Sequence, residues 1–284
     1  MNNTKIHKEE RLERYLRKRS WLLYLITFTV AGTLYFGIYL AMLLFHEGHY
    51  WSLMISGLLA HSFFVITMHD GAHKSITKTN FDYTIMNFCA GLIVLPLYTE
   101  LFKKYHLLHH ANTNTDNDPL WNTFKEKMFA KNRILYAILQ CLPFVFNLYV
   151  ILKRSPNHAD KSKGKAIKIN LWQVALSFAV AIAVIILFKP GFLFVLGSFA
   201  VMTTLGAIRY WGEHMGIDRG KESNTHWFPL GMGIGNHDVH HKYPGYSWLT
   251  LTIGLLFRKM DTNPFKSTYR LFFRKDFRHY KDNN

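Results

Sequence analysis

Apolar residues in this chain gather into long uncharged runs, with the charges collected between them. Runs at 21–45, 50–68, 171–188 and 192–208 contain no Asp, Glu, Lys or Arg. Each has the length of a helix that crosses a hydrocarbon core of ~30 Å. His46-Glu47-Gly48-His49 joins the first pair, and Lys189-Pro190-Gly191, a tight turn by composition, joins the second. The pattern is that of a membrane protein, although mean hydropathy over the whole chain is zero. The first run is too long for the core of a cleaved leader and is expected to remain as an anchor.

Two further apolar stretches, 83–99 and 134–152, are long enough to span, but the flanking charges argue against it. Lys74 and Lys78 precede them, Lys103, Lys104, Lys125, Lys127, Lys131 and Arg133 lie between them, and Lys153, Arg154, Lys161, Lys163, Lys165 and Lys168 follow. By the positive-inside rule all three basic regions share the cytoplasmic side. A single crossing cannot begin and end on one side. Both stretches are therefore expected to be re-entrant or interfacial, broken at Pro96 and Pro143. Of the 34 Lys and Arg, only Lys189 then falls outside. Residues 1–20 carry Lys5, Lys8, Arg11, Arg14, Arg17, Lys18 and Arg19 beside Leu12, Tyr15, Leu16 and nearby Trp21, which predicts a basic interfacial helix. The expected architecture is an all-α integral membrane protein of one domain. It has four transmembrane helices, both termini cytoplasmic, and a cytoplasmic helical cap that includes 209–284.

The net charge of +16 does not point to nucleic acid, because the basic residues flank apolar runs and form no nucleic-acid motif. Anionic lipid headgroups account for it. Cys89 and Cys141 each lie in an apolar segment and read as small buried hydrophobes.

Histidine carries the candidate chemistry. "HDGAH" holds His69 and His73, "HLLHH" holds His106, His109 and His110, and "HDVHH" holds His237, His240 and His241. On a helix these offsets place the imidazoles on one face. With 16 histidines in the chain, one H-x-x-H-H is expected by chance about 0.05 times. Two copies plus an H-x-x-x-H, all assigned to one membrane side, point to metal binding. Eight imidazoles are too many for one ion and suit two. Imidazole alone does not choose between iron and zinc. His214, just past the last run, is a ninth candidate ligand. Glu213 is set to pair with Arg209 at i,i+4, with a metal contact as the alternative. Asn236 is a candidate for contact through water. Asp70, Asp116, Asp118 and Asp238 are candidates to accept the far ring N–H of a ligand histidine, and for Asp118 turn chemistry before Pro119 is the rival. His61 lies within the second run, eight residues before His69, where it either lines a substrate cavity or bonds a neighbouring helix. Loop residue His226 reads as a non-ligand, as do His7, His46, His49, His158 and His279.

With these motifs the chain resembles the integral-membrane fatty acid desaturase and hydroxylase superfamily, marked by three histidine boxes. "TNTDNDP" after the second box and "HHKYPGYSWL" after the third add to the likeness, which covers about residues 20–255. The resemblance implies four spans under a cytoplasmic cap, and a di-iron centre that activates O2 and removes hydrogen from an unactivated C–H bond. Its ligands would be His69, His73, His106, His109, His110, His237, His240 and His241, with His214 in the place of the additional histidine before the third box. One turn before that histidine the acyl-CoA desaturases carry Asn, where this chain has Tyr210. The implied substrate is a fatty acyl or related lipid chain in an apolar tunnel, for which Trp211, Trp227 and Trp248 are candidate walls. There is no His-Pro-Gly-Gly haem signature, so the expected electron donor is a separate ferredoxin-like or similar protein. The expected location is a bacterial inner membrane. A hydroxylase or ketolase acting on a carotenoid, sterol or alkyl chain would use the same ligands. A metal transporter, the alternative from another class, would place its ligands near mid-membrane.

Overall fold

The computed structural model describes residues 3–115, 117–120, 123–142, 170–218, 221–274 and 280–281. Helix α1 (Asn3–Lys18) leads into a hairpin of α2 (Ser20–His46) and α3 (Ser52–Ala72). Short helices follow: α4 (Phe81–Leu92), α5 (Tyr98–Asn112), α6 (Thr123–Lys131) and α7 (Arg133–Gln140). A second hairpin is made by α8 (Leu171–Phe188) and α9 (Phe192–His214), and then come α10 (His237–Lys242), α11 (Trp248–Leu255) and α12 (Pro264–Phe273). Apart from helices, the described residues form one two-residue parallel ladder, Ile217–Asp218 with Tyr280–Lys281, and a bridge between His226 and Thr262.

Among the described residues, α2, α3, α8 and α9 are the helices long and apolar enough to cross a membrane, as the uncharged runs predict. α3 packs between α2 and α9, while α8 packs on α4. Small residues allow the close approaches. A Cβ on Gly57 would lie 2.4 Å from Val201, and one on Gly91 would lie 2.7 Å from the Ser177 carbonyl. Beside Gly57 the Ser56 and Ser198 hydroxyls bond at 2.8 Å. Phe28 and Phe36 on α2 and Ile182, Ile186 and Leu187 on α8 face outward. An apolar outer surface is the one a bilayer requires.

Two of the long helices outrun their apolar sequence. α9 passes residue 208 and ends at His214, because Arg209 and Glu213 pair along it and keep the polar turn helical. α3 continues through Val65–His69 as a π-turn and on to Ala72. The wider turn inserts a residue into the helix at the first histidine box, a placement typical of functional sites.

The stretch 83–99 holds the 12-residue α4, a sharp reversal with Val94 and Leu97 at φ 57° and 70° around Pro96, and the start of α5. Of 134–152, α7 and the residues to 142 are described. Pro143 and the rest lie outside the described residues, as do Asp116, His158 and His279.

α1 buries Glu9, Glu13 and Leu16 and exposes Tyr15, and Trp21 at the start of α2 is exposed. Its inward face is thus partly carboxylate, not the apolar face expected for a lipid interface. Glu13 accepts from Lys78 Nζ at 2.9 Å, from Thr250 Oγ1 at 2.7 Å, and from the Ser247 N–H and hydroxyl at 3.2 Å. Glu9 is gripped by Arg258 through two bonds of 2.9 Å. These partners draw α1 onto α11, where Gly254 leaves room for Glu9.

Candidate metal centre

Four helices deliver the histidines to one place. His69 ends the π-turn of α3 and His73 follows it; His106, His109 and His110 come from α5, His214 from the last turn of α9, and His237, His240 and His241 from α10. They sort into two buried quartets. His69, His73, His106 and His240 form one, and His109, His214, His237 and His241 the other. In each, the candidate ligand atoms lie within 4.8 Å of one another. The boxes are therefore not the clusters, for both the second and the third are divided between the two groups. His110 sits between the groups, its Nε2 3.0 Å from that of His240 and its ring stacked 4.4 Å from His241.

The donor atoms fit metal ions. Nε2–Nε2 separations are 2.8 Å for His73–His106, 3.1 Å for His214–His237 and 3.2 Å for His237–His241. Two imidazole nitrogens held ~2.1 Å from one ion at a right angle lie about 3.0 Å apart. Burial, reinforced by repulsion between neighbouring imidazoles, pushes His106, His110, His237, His240 and His241 well below the ordinary imidazole range. The same forces bring His73 down to about 3. These rings are therefore neutral, the form that binds metal.

A carboxylate fixes the tautomer of one ring. His109 Nδ1 lies 2.9 Å from both oxygens of Asp118, which can only accept, so the proton sits on Nδ1. Asp118 also accepts from the Asn114 and Leu120 N–H groups at 3.0 and 2.8 Å. It thus shapes the turn and orients the His109 ring. His69 Nδ1 approaches Asp70 at 3.4 Å, and the other Asp70 oxygen accepts from the Trp248 N–H at 2.8 Å. The Nε2 atoms of His69 and His109 are left buried without a hydrogen-bond partner, a state that a metal ion resolves. Glu213 pairs with Arg209, as its spacing predicts, and also lies 3.5 Å from His237 Nδ1 and 3.4 Å from His226 Nε2. Thr113 Oγ1 lies 3.2 Å from His241 Nδ1. Sequence reasoning missed this contact, because a threonine past a helix end reads as an ordinary cap.

The Asn236 amide nitrogen turns to Glu9 Oε1 at 3.2 Å and to the Leu251 carbonyl at 3.3 Å, and its Oδ1 is buried without a hydrogen-bond partner. Asp238 is half-buried in the field of Lys221, Arg258 and Lys242, and has no described bond to a histidine. His226 is fully buried beside Glu213 and belongs to neither quartet.

A cavity opens on both quartets. It is lined by His106 from the first, by His109, His214 and His237 from the second, and then by Phe64, Tyr98, Phe102, Met202 and Ala207. His61, Gln140 and Arg209 also line it. The tryptophans are not among its walls. Trp211 is buried against Phe272, Trp248 donates to Thr27 Oγ1 at 3.0 Å, and Trp227 is exposed. The walls come mainly from α3, α5 and α9, where aromatic and aliphatic side chains alternate with polar ones such as Thr203, Arg209 and Glu213.

Paired histidine quartets near the ends of long apolar helices, opening on one cavity, define a helical membrane protein with two clusters that could each hold a metal ion. The chain matches the model of the fatty acid desaturase family over residues 48–253, and it belongs to that family. No curated protein and no solved structure matches it.

Proposed function

We propose that the protein is an O2-dependent desaturase of a fatty acyl or related lipid chain, with two irons held by the nine histidines. The quartet of His69, His73, His106 and His240 would hold one ion and that of His109, His214, His237 and His241 the other, with His110 between them. Bound iron would supply the coupling of C–H oxidation to O2 reduction: two hydrogens leave adjacent carbons, and O2 becomes two waters with two electrons and two protons from an external donor. The observation that carries the reading is the single cavity that meets both quartets.

The chain's own residues position and protect. Phe64, Tyr98, Phe102 and Met202 offer an apolar wall that excludes water and holds a methylene chain against the histidines. Phe102 stacks on His106 at 4.8 Å, and the Tyr210 ring lies 5.1 Å from His214. Asp118 holds His109 in the tautomer that offers Nε2, and Asp70 lies beside His69 Nδ1. The histidines lie at helix ends and on short helices, whereas a transport path would put them at the middle of the long ones.

The charge pattern supports a cytoplasmic position for both termini and for the histidines, with a separate redox protein delivering electrons from that side. It also supports a re-entrant or interfacial place for 83–99 and 134–152 within one domain spanning the chain. The test is lipid analysis of a host expressing the protein. A new double bond that disappears with His109→Ala is expected. A hydroxylated product in its place would contradict desaturation.

A further inference from the structure

The cavity carries polar groups that an all-methylene chain cannot satisfy. His61 is 2 % exposed, and neither of its ring nitrogens has a hydrogen-bond partner. Gln140 is 5 % exposed, and its Oε1 likewise has none. Both side chains line the same cavity as the metal-side histidines. A buried polar atom left unpaired is destabilising, so such atoms are normally matched by a partner.

Their depth is set by the helices. His61 precedes His69 by eight residues on α3, about 12 Å at 1.5 Å per residue. Gln140 ends α7, and the next residue, Cys141, meets Thr204. Thr204 stands ten residues before His214 on α9, about 15 Å away by the same rise. Along these helices His61 and Thr204 each lie about two to three turns from the ends that carry the histidines.

The chemistry of the pair selects a partner. An imidazole offers at least one N–H donor, whereas the Gln140 oxygen only accepts. A hydroxyl serves both, accepting from His61 and donating to Gln140. A carboxylate has no proton for Gln140. The Arg209 guanidinium on the same cavity wall pairs with Glu213, which leaves its buried Nε as a further donor without a partner, and a hydroxyl oxygen can accept from it as well.

We propose that the cavity binds a lipid chain bearing a hydroxyl group remote from the reacting carbons, and that His61 and Gln140 hold this hydroxyl and so set which carbons meet the histidines. This inference rests on the lipid-chain reading above and names its substrate class. The two residues are positioning and specificity residues, since neither belongs to the histidine quartets.

The test uses the full-length protein in detergent micelles and two probes, a long-chain alkane and the alkanol of equal length with one terminal hydroxyl. Affinities are measured by competition against a fluorescent lipid. The wild type is expected to bind the alkanol at least ~10-fold tighter than the alkane. His61→Leu and Gln140→Leu should each reduce this preference, and together abolish it. His61→Gln, which keeps a donor and an acceptor, should restore part of it and so controls for misfolding. Equal binding of the two probes, or a preference that survives both leucine substitutions, overturns the inference. If the host lipids still gain a double bond, the desaturase reading stands while this inference falls. Binding of neither probe, with no change in host lipids, sinks both.

Discussion

Both carboxylate oxygens of Asp118 lie 2.9 Å from Nδ1 of His109. The contact holds the ring proton on the side away from the second quartet and turns the Nε2 lone pair toward it. An amide at this position can present an N–H to Nδ1 and drive the proton onto Nε2, where it blocks coordination. Asp118→Asn should therefore weaken metal binding ~10–100-fold with the fold retained. Metal titration against a competing chelator checks this, with thermal unfolding as the control. Unchanged affinity would remove His109 from the ligand set.

α1 should be released when Glu13 is lost. Burial pushes the Glu13 carboxyl up, but Lys78, Thr250 and Ser247 together outweigh it and hold the group below its ordinary value. The stability it contributes is thus present above pH ~4.5 and disappears as pH falls through the lowered value. Glu13→Ala strips a charged acceptor from several donors and should cost on the order of 1–3 kcal/mol in docking. Arg11, Arg14 and Arg17 are exposed on this helix, so faster tryptic cleavage there is the readout. An unchanged digestion rate would show that α1 is held by something else.

The close contact of α4 with α8 depends on Gly91. A Cβ there would come within 2.5 Å of Val180, whereas one on Gly32 of α2 meets nothing within 4 Å. Gly91→Ala should lower the unfolding temperature, with an overpacking cost of ~1–3 kcal/mol. Gly32→Ala should leave it unchanged or slightly raised. Equal responses would contradict the packing described.

The long helices and the three boxes were legible because each depends on local pattern, an uncharged run or imidazoles one turn apart. The division of the boxes was not. His106 and His109 lie on one stretch of α5, yet they join different quartets because α5 passes between the end of α3 and the end of α9. That geometry is set by packing between distant segments. The roles of Glu9 and Glu13 were not legible for the same reason, since their partners Arg258, Ser247 and Thr250 lie more than 200 residues away. The expected tryptophan walls followed residue type alone, whereas Trp248 is committed to Thr27 and to Asp70.

Acid should destabilise the metal-free protein. His73 is lowered to about 3, and five other imidazoles are displaced in the same direction. The unfolded chain takes up protons near pH ~6.5 while the folded one does not. Stability is therefore full above that pH and declines as pH falls toward the lowered values. Unfolding temperatures of chelator-treated protein should drop steadily from pH 7.5 to pH 5. A flat profile would mean that the imidazoles are not buried as neutral groups.

The central claim is that the two histidine quartets hold two irons. Elemental analysis of the purified full-length protein tests it most directly. The account predicts two irons per chain in the wild type, with substantial loss of iron in His109→Ala and in His240→Ala. One zinc per chain with no iron would contradict it.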